Sequence, residues 1–309
     1  MLTPISDTNA FRIIQNDKAS GQLSHAYLIA CSDEAMAGEY LIELSKLIVC
    51  DDYYSSFGTR VATLIEKREH PDVTFYPKEK KLTVACADEL VAQSVVKPME
   101  LPIRLFIVSK VEELAQYQNK LLKTLEEPPK NVVILMSTVN ENAVLPTIKS
   151  RSKRLSVPLF SEEKLFSALS PDHPDGDRLS IAVALAGGRM GEAIRYYEWQ
   201  YTPQLFEFCL DVIGKMNTAA DVIFYQAKMK DYPLIDVITG LKVVCHKCLT
   251  GNERKYQQIK QKFRPAVFIG IIDKLGRIEK SINFNANNSM ATDRILFSVM
   301  EEKAKWQRL

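Results

Sequence analysis

The chain has 309 residues, with 40 basic against 38 acidic side chains and a formal charge of +2. That balance excludes a strongly basic protein that coats nucleic acid, while leaving room for a local basic patch. Hydrophobic residues make up 46% and charged residues 25%, the composition of a globular protein and not of a disordered chain. No apolar run reaches the roughly 18 residues of a membrane span. The opening segment, MLTPISDTNAFRIIQ, lacks the basic-then-apolar pattern of an export signal. The expected setting is cytoplasmic, without a membrane partner, and the cysteines at 31, 50, 86, 209, 245 and 248 are expected as reduced thiols.

The first half alternates short apolar runs with helical periods. Ala26–Cys31 (AYLIAC) reads as a buried parallel strand. Ser32 or Asp33 is placed to cap a following helix whose stripe is Met36, Tyr40, Leu41, Leu44, Leu47 and Ile48. Further strands are expected at 72–76, 104–109, 131–138 and 153–157. Helices are expected at 87–96 and at 112–126, the latter stopped by Pro128 and Pro129. Alternating strands and helices imply βαβ units and a mostly parallel sheet with helices on both faces. After Pro158 only helical patterns remain. Three short ones fall at 161–169, 177–186 and 191–199, and others near 203–215, 219–229, 233–250, 253–262, 265–282 and 288–306. The expected organisation is an α/β domain over 1–157, a small helical domain over 158–202 and an all-α domain over 203–309.

The stretch Gln118–Pro129, QNKLLKTLEEPP, is the most specific in the chain. It resembles the NALLKTLEEPP segment of bacterial clamp-loader subunits, with Lys120 as the departure. Further matches run in the family's order: HAYLI at His25–Ile29, HPDV at His70–Val73, TIKSRS at Thr147–Ser152 and NFNANNSMATDRIL at Asn283–Leu296. The resemblance is strongest over 102–158. It implies an AAA+ (P-loop NTPase-like) α/β fold, a helical lid and a collar that joins subunits in a ring.

An active member of that family needs a phosphate loop, G-x-x-x-x-G-K-[ST], after the first strand, where backbone N–H groups, a Lys and a hydroxyl hold phosphates and Mg²⁺. Here the position reads CSDEAMAGEY, Cys31–Tyr40, with one glycine, Gly38, and no Lys. Cys31, Ser32, Asp33, Glu34 and Gly38 form the degenerate loop. Asp33 and Glu34 put negative charge where phosphates belong, although a helix N-terminus there still favours an anion. The strand at 104–109 continues Ser109-Lys110-Val111-Glu112-Glu113, so a lysine stands near the position of the metal-binding acid. Glu112 and Glu113 read as first-turn residues that suit the helix dipole. Gly191, in Gly187–Ala193 (GGRMGEA), stands where an active member has a nucleotide-reading arginine. Three losses together resemble the delta-prime type of subunit. They imply no bound nucleotide cofactor, no metal and no ATPase activity of its own.

The resemblance gives Arg151, between Ser150 and Ser152, the role of an arginine finger aimed at a neighbour's ATP site. Its guanidinium stays charged and forks onto phosphate oxygens, and such fingers supply roughly 10³–10⁵ in rate where tested. Ser152 replaces the family's Cys. Implied partners are gamma/tau-type and delta subunits, the sliding clamp within the assembly, and primer-template DNA only through the assembled complex. Rival readings are an active gamma/tau-type ATPase, a clamp-binding delta subunit, and a fold-sharing interaction scaffold outside replication.

Other features read as structural. Glu126 and Glu127 end a helix before two prolines, and Asn140 reads as a capping or turn residue. Cys50 and His70 fall short of four zinc ligands. Cys245-His246-Lys247-Cys248 reads as two thiols near one helix face. Lys255–Arg264 (KYQQIKQKFR) reads as a solvated basic face, with base stacking on its two aromatics as the alternative. The stripe Leu234, Ile238, Leu241 and Val244 serves either the chain's own core or a collar interface.

Overall fold

Five apolar runs become the strands of one parallel sheet in the computed structural model, which describes residues 4–50, 56–78, 81–113, 115–282 and 288–307. The strands are β1 Ala26–Cys31, β2 Val73–Tyr76, β3 Arg104–Val108, β4 Val132–Thr138 and β5 Lys153–Val157, in the order β2-β3-β4-β1-β5. All four ladders are parallel, so every return runs through a crossover. The helices of this half are α1 Asn9–Ala19, α2 Ala37–Val49, α3 Ser56–Glu66, α4 Val84–Ser94, α5 Ala115–Glu126 and α6 Pro146–Arg151, with α7 Glu162–Leu169 after the sheet.

Strands β3 and β4 are buried along their whole length, as a sheet covered on both faces requires. On one face Leu28, Phe106, Ile134 and Met136 pack with Leu90 of α4, Tyr117, Leu121 and Leu125 of α5, and Ile148 of α6. The pleat turns Tyr27, Ile29, Ile107 and Leu135 to the opposite face, where they are also buried. There α1 and α2 lie against β5 and β4.

The chain divides into two compact units. The first comprises 1–172 with 187–192; the second comprises 173–186 and 193–309. Short segment 187–192 belongs to the α/β unit although the residues on either side of it do not.

The second unit is helical: α8 Gly176–Leu185, most of α9 Met190–Glu198, α10 Thr202–Lys215, α11 Ala219–Met229, α12 Leu234–Thr250, α13 Arg254–Lys260, α14 Pro265–Ile282 and α15 Asn288–Gln307. The ambiguous α12 stripe belongs to its core: Ile238, Leu241 and Val244 are buried and Leu234 packs against the cluster. Cys245 and Cys248 are buried in the same cluster as free thiols. The stacking alternative for Lys255–Arg264 is corrected, because Tyr256 and Phe263 point into this core and not outward. Lys303 is buried and donates to the carbonyls of Val212 and Met216 at 2.9 and 2.7 Å. Burial lowers its pKa to about 7.

Among the described residues no helix is long and apolar enough to cross a membrane, and no group of three or more His, Cys, Asp or Glu side chains is disposed to hold a metal ion. The asparagines at 283, 285 and 287 of the collar-like segment lie outside the described residues.

Candidate functional site

The sheet order creates a switch point beside β1. From β1 the chain crosses to β2 at one edge, whereas from β4 it passes over β1 to β5 at the other. In open α/β sheets the crevice outside the carboxyl ends of such strands is where ligands bind. Here that crevice is bordered by the loop after Cys31, by Ser109–Lys110 after β3 and by Val139–Asn140 after β4.

The chain's own groups reach across the crevice. Glu34, in the loop after β1, forms an ion pair with Lys110, at the end of β3. In the sheet these two strands are separated by β4. Lys110 also lies 3.5 Å from Glu113, and its backbone N–H donates to Ser137 Oγ at 3.1 Å. Its backbone is left-handed, φ 53°, a conformation costing a non-glycine residue about 1–2 kcal/mol. The hydrogen bond that Lys110 donates to Glu34 raises its pKa above the ordinary value, against a smaller lowering by burial.

Asp33 is 6% exposed, and its Oδ2 accepts the backbone N–H of Gly191 at 2.9 Å. The expectation that Ser32 or Asp33 caps the helix after β1 is therefore corrected. Helix α2 begins only at Ala37, with Met36 as a cap that makes no side-chain bond. Residues 34–36 form a turn before it, and the Asp33 carboxylate is turned instead to the first turn of α9. There it satisfies a donor that the helix leaves unpaired. Arg189 Nε donates to the Ser32 carbonyl at 3.3 Å, and Phe160 N donates to the Gly188 carbonyl at 2.9 Å.

Gly191 has a steric reason to be glycine. A Cβ there would come within 2.6 Å of Ala35 Cβ and 2.8 Å of Asp33 Oδ1. The position at which the family resemblance expects an arginine thus has no room for any side chain in this packing. Gly38 differs: a Cβ there would meet only Arg68 Nη2, at 3.9 Å, so nothing in its surroundings demands glycine. Cys31 is buried, its Sγ donating to the Asp33 carbonyl at 3.4 Å. Burial pushes the thiol from 9.0 up to about 11. Burial and the nearby Asp33 carboxylate together push the Tyr40 phenol up.

Arg151 occupies a different place. Thr147–Ser152 covers helix α6 after its first residue, together with its cap. Arg151 is the last residue of α6 and Ser152 its C-cap. Strand β5 begins at Lys153, level with Tyr27, four residues or about 13 Å along β1 before Cys31. The arginine therefore sits towards the amino ends of the strands, away from the crevice of its own chain.

Arg151's side chain is 35% exposed, and its Nη2 pairs with Glu126 Oε1 at 2.9 Å. Nη1 donates to the Thr147 carbonyl at 3.2 Å and to Ser150 Oγ at 3.4 Å. Ser150 Oγ in turn donates to Thr147 O at 3.0 Å. Ser152 Oγ is buried without a partner, in keeping with a position that packs.

The remaining candidates are structural. Asn140 caps a 3-10 turn by accepting from Asn142 N at 3.1 Å. Glu112 lies in a 3-10 turn, Val111–Glu113, ahead of α5, and accepts from Val139 N at 2.8 Å. It serves as a tie to the end of β4 and not as a first-turn residue of α5. In the HPDV segment Asp72 accepts the backbone N–H groups of Met99, Glu100 and Leu101. These bonds outweigh its burial and hold its carboxyl below the usual range. Its neighbour His70 accepts from Asp72 N at 3.1 Å. The sequence carries no local signal for the Glu34–Lys110, Asp33–Gly191 and Glu126–Arg151 ties, because each joins residues far apart in the chain.

A parallel α/β unit followed by a helical unit defines an open α/β fold whose switch-point crevice is bridged by the chain's own side chains. The sequence model described as "DNA polymerase III, delta subunit" matches residues 6–160, about half of the chain, and the chain belongs to that family. It is similar to DNA polymerase III subunit gamma of Buchnera aphidicola subsp. Schizaphis graminum, 24% identical over 197 residues covering 60% of this chain and 54% of the relative. The same subunit of Buchnera aphidicola subsp. Acyrthosiphon pisum is 27% identical over 160 residues, covering 50% and 44%. The chain spans about half the length of the curated relatives it matches. Among solved structures, a gamma-subunit-related DNA polymerase III protein of Thermotoga maritima aligns over 94% of this chain and 97% of its own, at 19% identity and a TM-score of 0.42.

Proposed function

We propose that this chain is a non-catalytic clamp-loader subunit of the delta-prime type, with an AAA+ sheet domain, a helical lid and a helical collar. In this reading it supports loading of the sliding clamp onto primed DNA and supplies Arg151 in trans to the ATP site of a neighbouring subunit. The observation that carries the reading is the occupied crevice. Where an active site would cradle phosphates, two carboxylates are held in place by the chain's own Lys110 and Gly191 N–H. An incoming phosphate would meet both negative charge and a closed loop. Arg151, by contrast, stands at the other end of the strands, partly exposed and permanently charged.

In mechanism, the guanidinium would stabilise charge gathering on the transferring phosphoryl group of the neighbour's nucleotide. No nucleotide or metal is required in this chain's own crevice. Its partners are then ATP-binding gamma/tau-type and delta-type subunits, with DNA met through the assembly.

A second reading is an active gamma-type ATPase, favoured by the names of the two curated relatives. Equilibrium titration of the isolated chain with a fluorescent ATP analogue separates the two. The expected result is no saturable binding at millimolar analogue, and saturable binding would overturn the non-catalytic reading in favour of the gamma type. Clamp- and DNA-stimulated ATPase of a reconstituted loader then tests the finger: Arg151→Ala should abolish turnover while the complex still elutes intact.

A further inference from the structure

Glu126 is badly placed for its own helix. It is the last residue of α5, where the macrodipole is negative and a carboxylate is disfavoured. Arg151 ends α6, where the same dipole favours a cation. The two helix ends meet at the Arg151 Nη2–Glu126 Oε1 contact of 2.9 Å. Nη1 is meanwhile anchored on the Thr147 carbonyl and Ser150 Oγ. A long, flexible side chain is thus tethered at both terminal nitrogens while a third of it stays open to solvent. The pair also joins two sequence segments, LLKTLEEPP and SRS, through residues 25 positions apart (151 − 126).

We propose that Glu126 is a positioning residue for Arg151, the resident counter-ion that holds and orients the guanidinium until a phosphate in trans competes for it. This inference rests on the finger role proposed above. A carboxylate paired with the guanidinium must release it, in whole or in part, before a phosphate in trans can take the same nitrogens, and that exchange costs affinity. Glu126 therefore keeps the arginine ordered in the free subunit at the expense of nucleotide affinity at the neighbouring site. Replacing it by glutamine keeps an acceptor oxygen for Nη2 and removes the charge. For a half-exposed ion pair the change in affinity is about two- to five-fold.

The test is a double-mutant cycle in the reconstituted loader with Glu126→Gln, Arg151→Ala and both together. Affinity of the neighbour's site is read with a fluorescent non-hydrolysable ATP analogue, so that the Arg151→Ala background stays measurable when turnover is lost. Stimulated turnover is measured in parallel. Glu126→Gln should tighten analogue binding about two- to five-fold at low salt and less at high salt, and the gain should vanish on Arg151→Ala. A gain of the same size in both backgrounds, or none in either, overturns the positioning role while leaving the finger intact. Unchanged turnover in Arg151→Ala with an intact complex overturns the finger and, with it, this inference.

Discussion

The two ends of the parallel sheet carry opposite designs. At the carboxyl ends of β1 and β3 three charges are tied to other parts of the same unit: Asp33 to Gly191 N–H, Glu34 to Lys110 and Arg189 to the Ser32 carbonyl. At the amino end of β5, Arg151 is held by one partly exposed carboxylate and two short-range acceptors. Buried Asp33 is the fixed tie of the first end; the Glu34–Lys110 and Arg151–Glu126 pairs are both partly exposed, and such pairs contribute only about 0–1 kcal/mol. The difference separates a crevice bridged by the chain's own groups from an arginine that remains partly presented.

The largest expected effect is at the presented end. Arg151→Ala in a reconstituted loader should lower stimulated ATP turnover by about 10³-fold with the assembly intact by size-exclusion chromatography. Turnover within a factor of two of wild type would erase the contrast between the ends. At the built-over end, Cys31 reports closure. With its thiol pushed up to about 11 from 9.0, its thiolate is about 100-fold rarer than that of an unshifted thiol. Mass-spectrometric labelling with iodoacetamide at pH 8 should therefore modify Cys86, which is only partly buried, well before Cys31. Equal rates would mean that the loop opens readily.

Smaller effects fall on stability. Gly191→Ala drives a methyl to 2.6 Å from Ala35 Cβ and 2.8 Å from Asp33 Oδ1. Overpacking of this kind costs about 1–3 kcal/mol, to be seen as a lower midpoint in urea. A midpoint equal to wild type would show that the loop and segment 187–192 part easily. Ser152→Ala should work in the other direction. It removes a buried hydroxyl that has no partner and should stabilise by about 1 kcal/mol, read as a raised thermal midpoint. A lowered midpoint would reveal a bond to that hydroxyl and a more specific role for the position beside Arg151.

Much of the fold was legible because it depends on local pattern. Strands Ala26–Cys31 and Lys153–Val157 and helices Ala219–Met229 and Pro265–Ile282 fall where periodicity puts them. The other predicted elements are displaced by one to three residues at their ends, as caps and turns shift boundaries. Helices α1, α3 and α6 were not read from the sequence, α6 because six residues hold too little of a period. The loss of the phosphate loop was equally legible, since Cys31–Tyr40 lacks the required glycines and Lys.

By itself, the sequence determined the alternation of strands and helices, the family, and the absence of a phosphate-loop motif, because each is written in residue type and spacing within one segment. Tertiary structure alone decided what Asp33, Glu34 and Glu126 do. Their partners Gly191, Lys110 and Arg151 lie 158, 76 and 25 residues away (191 − 33, 110 − 34, 151 − 126). A carboxylate's role is set by the donor the fold brings to it, over distances that no local pattern spans.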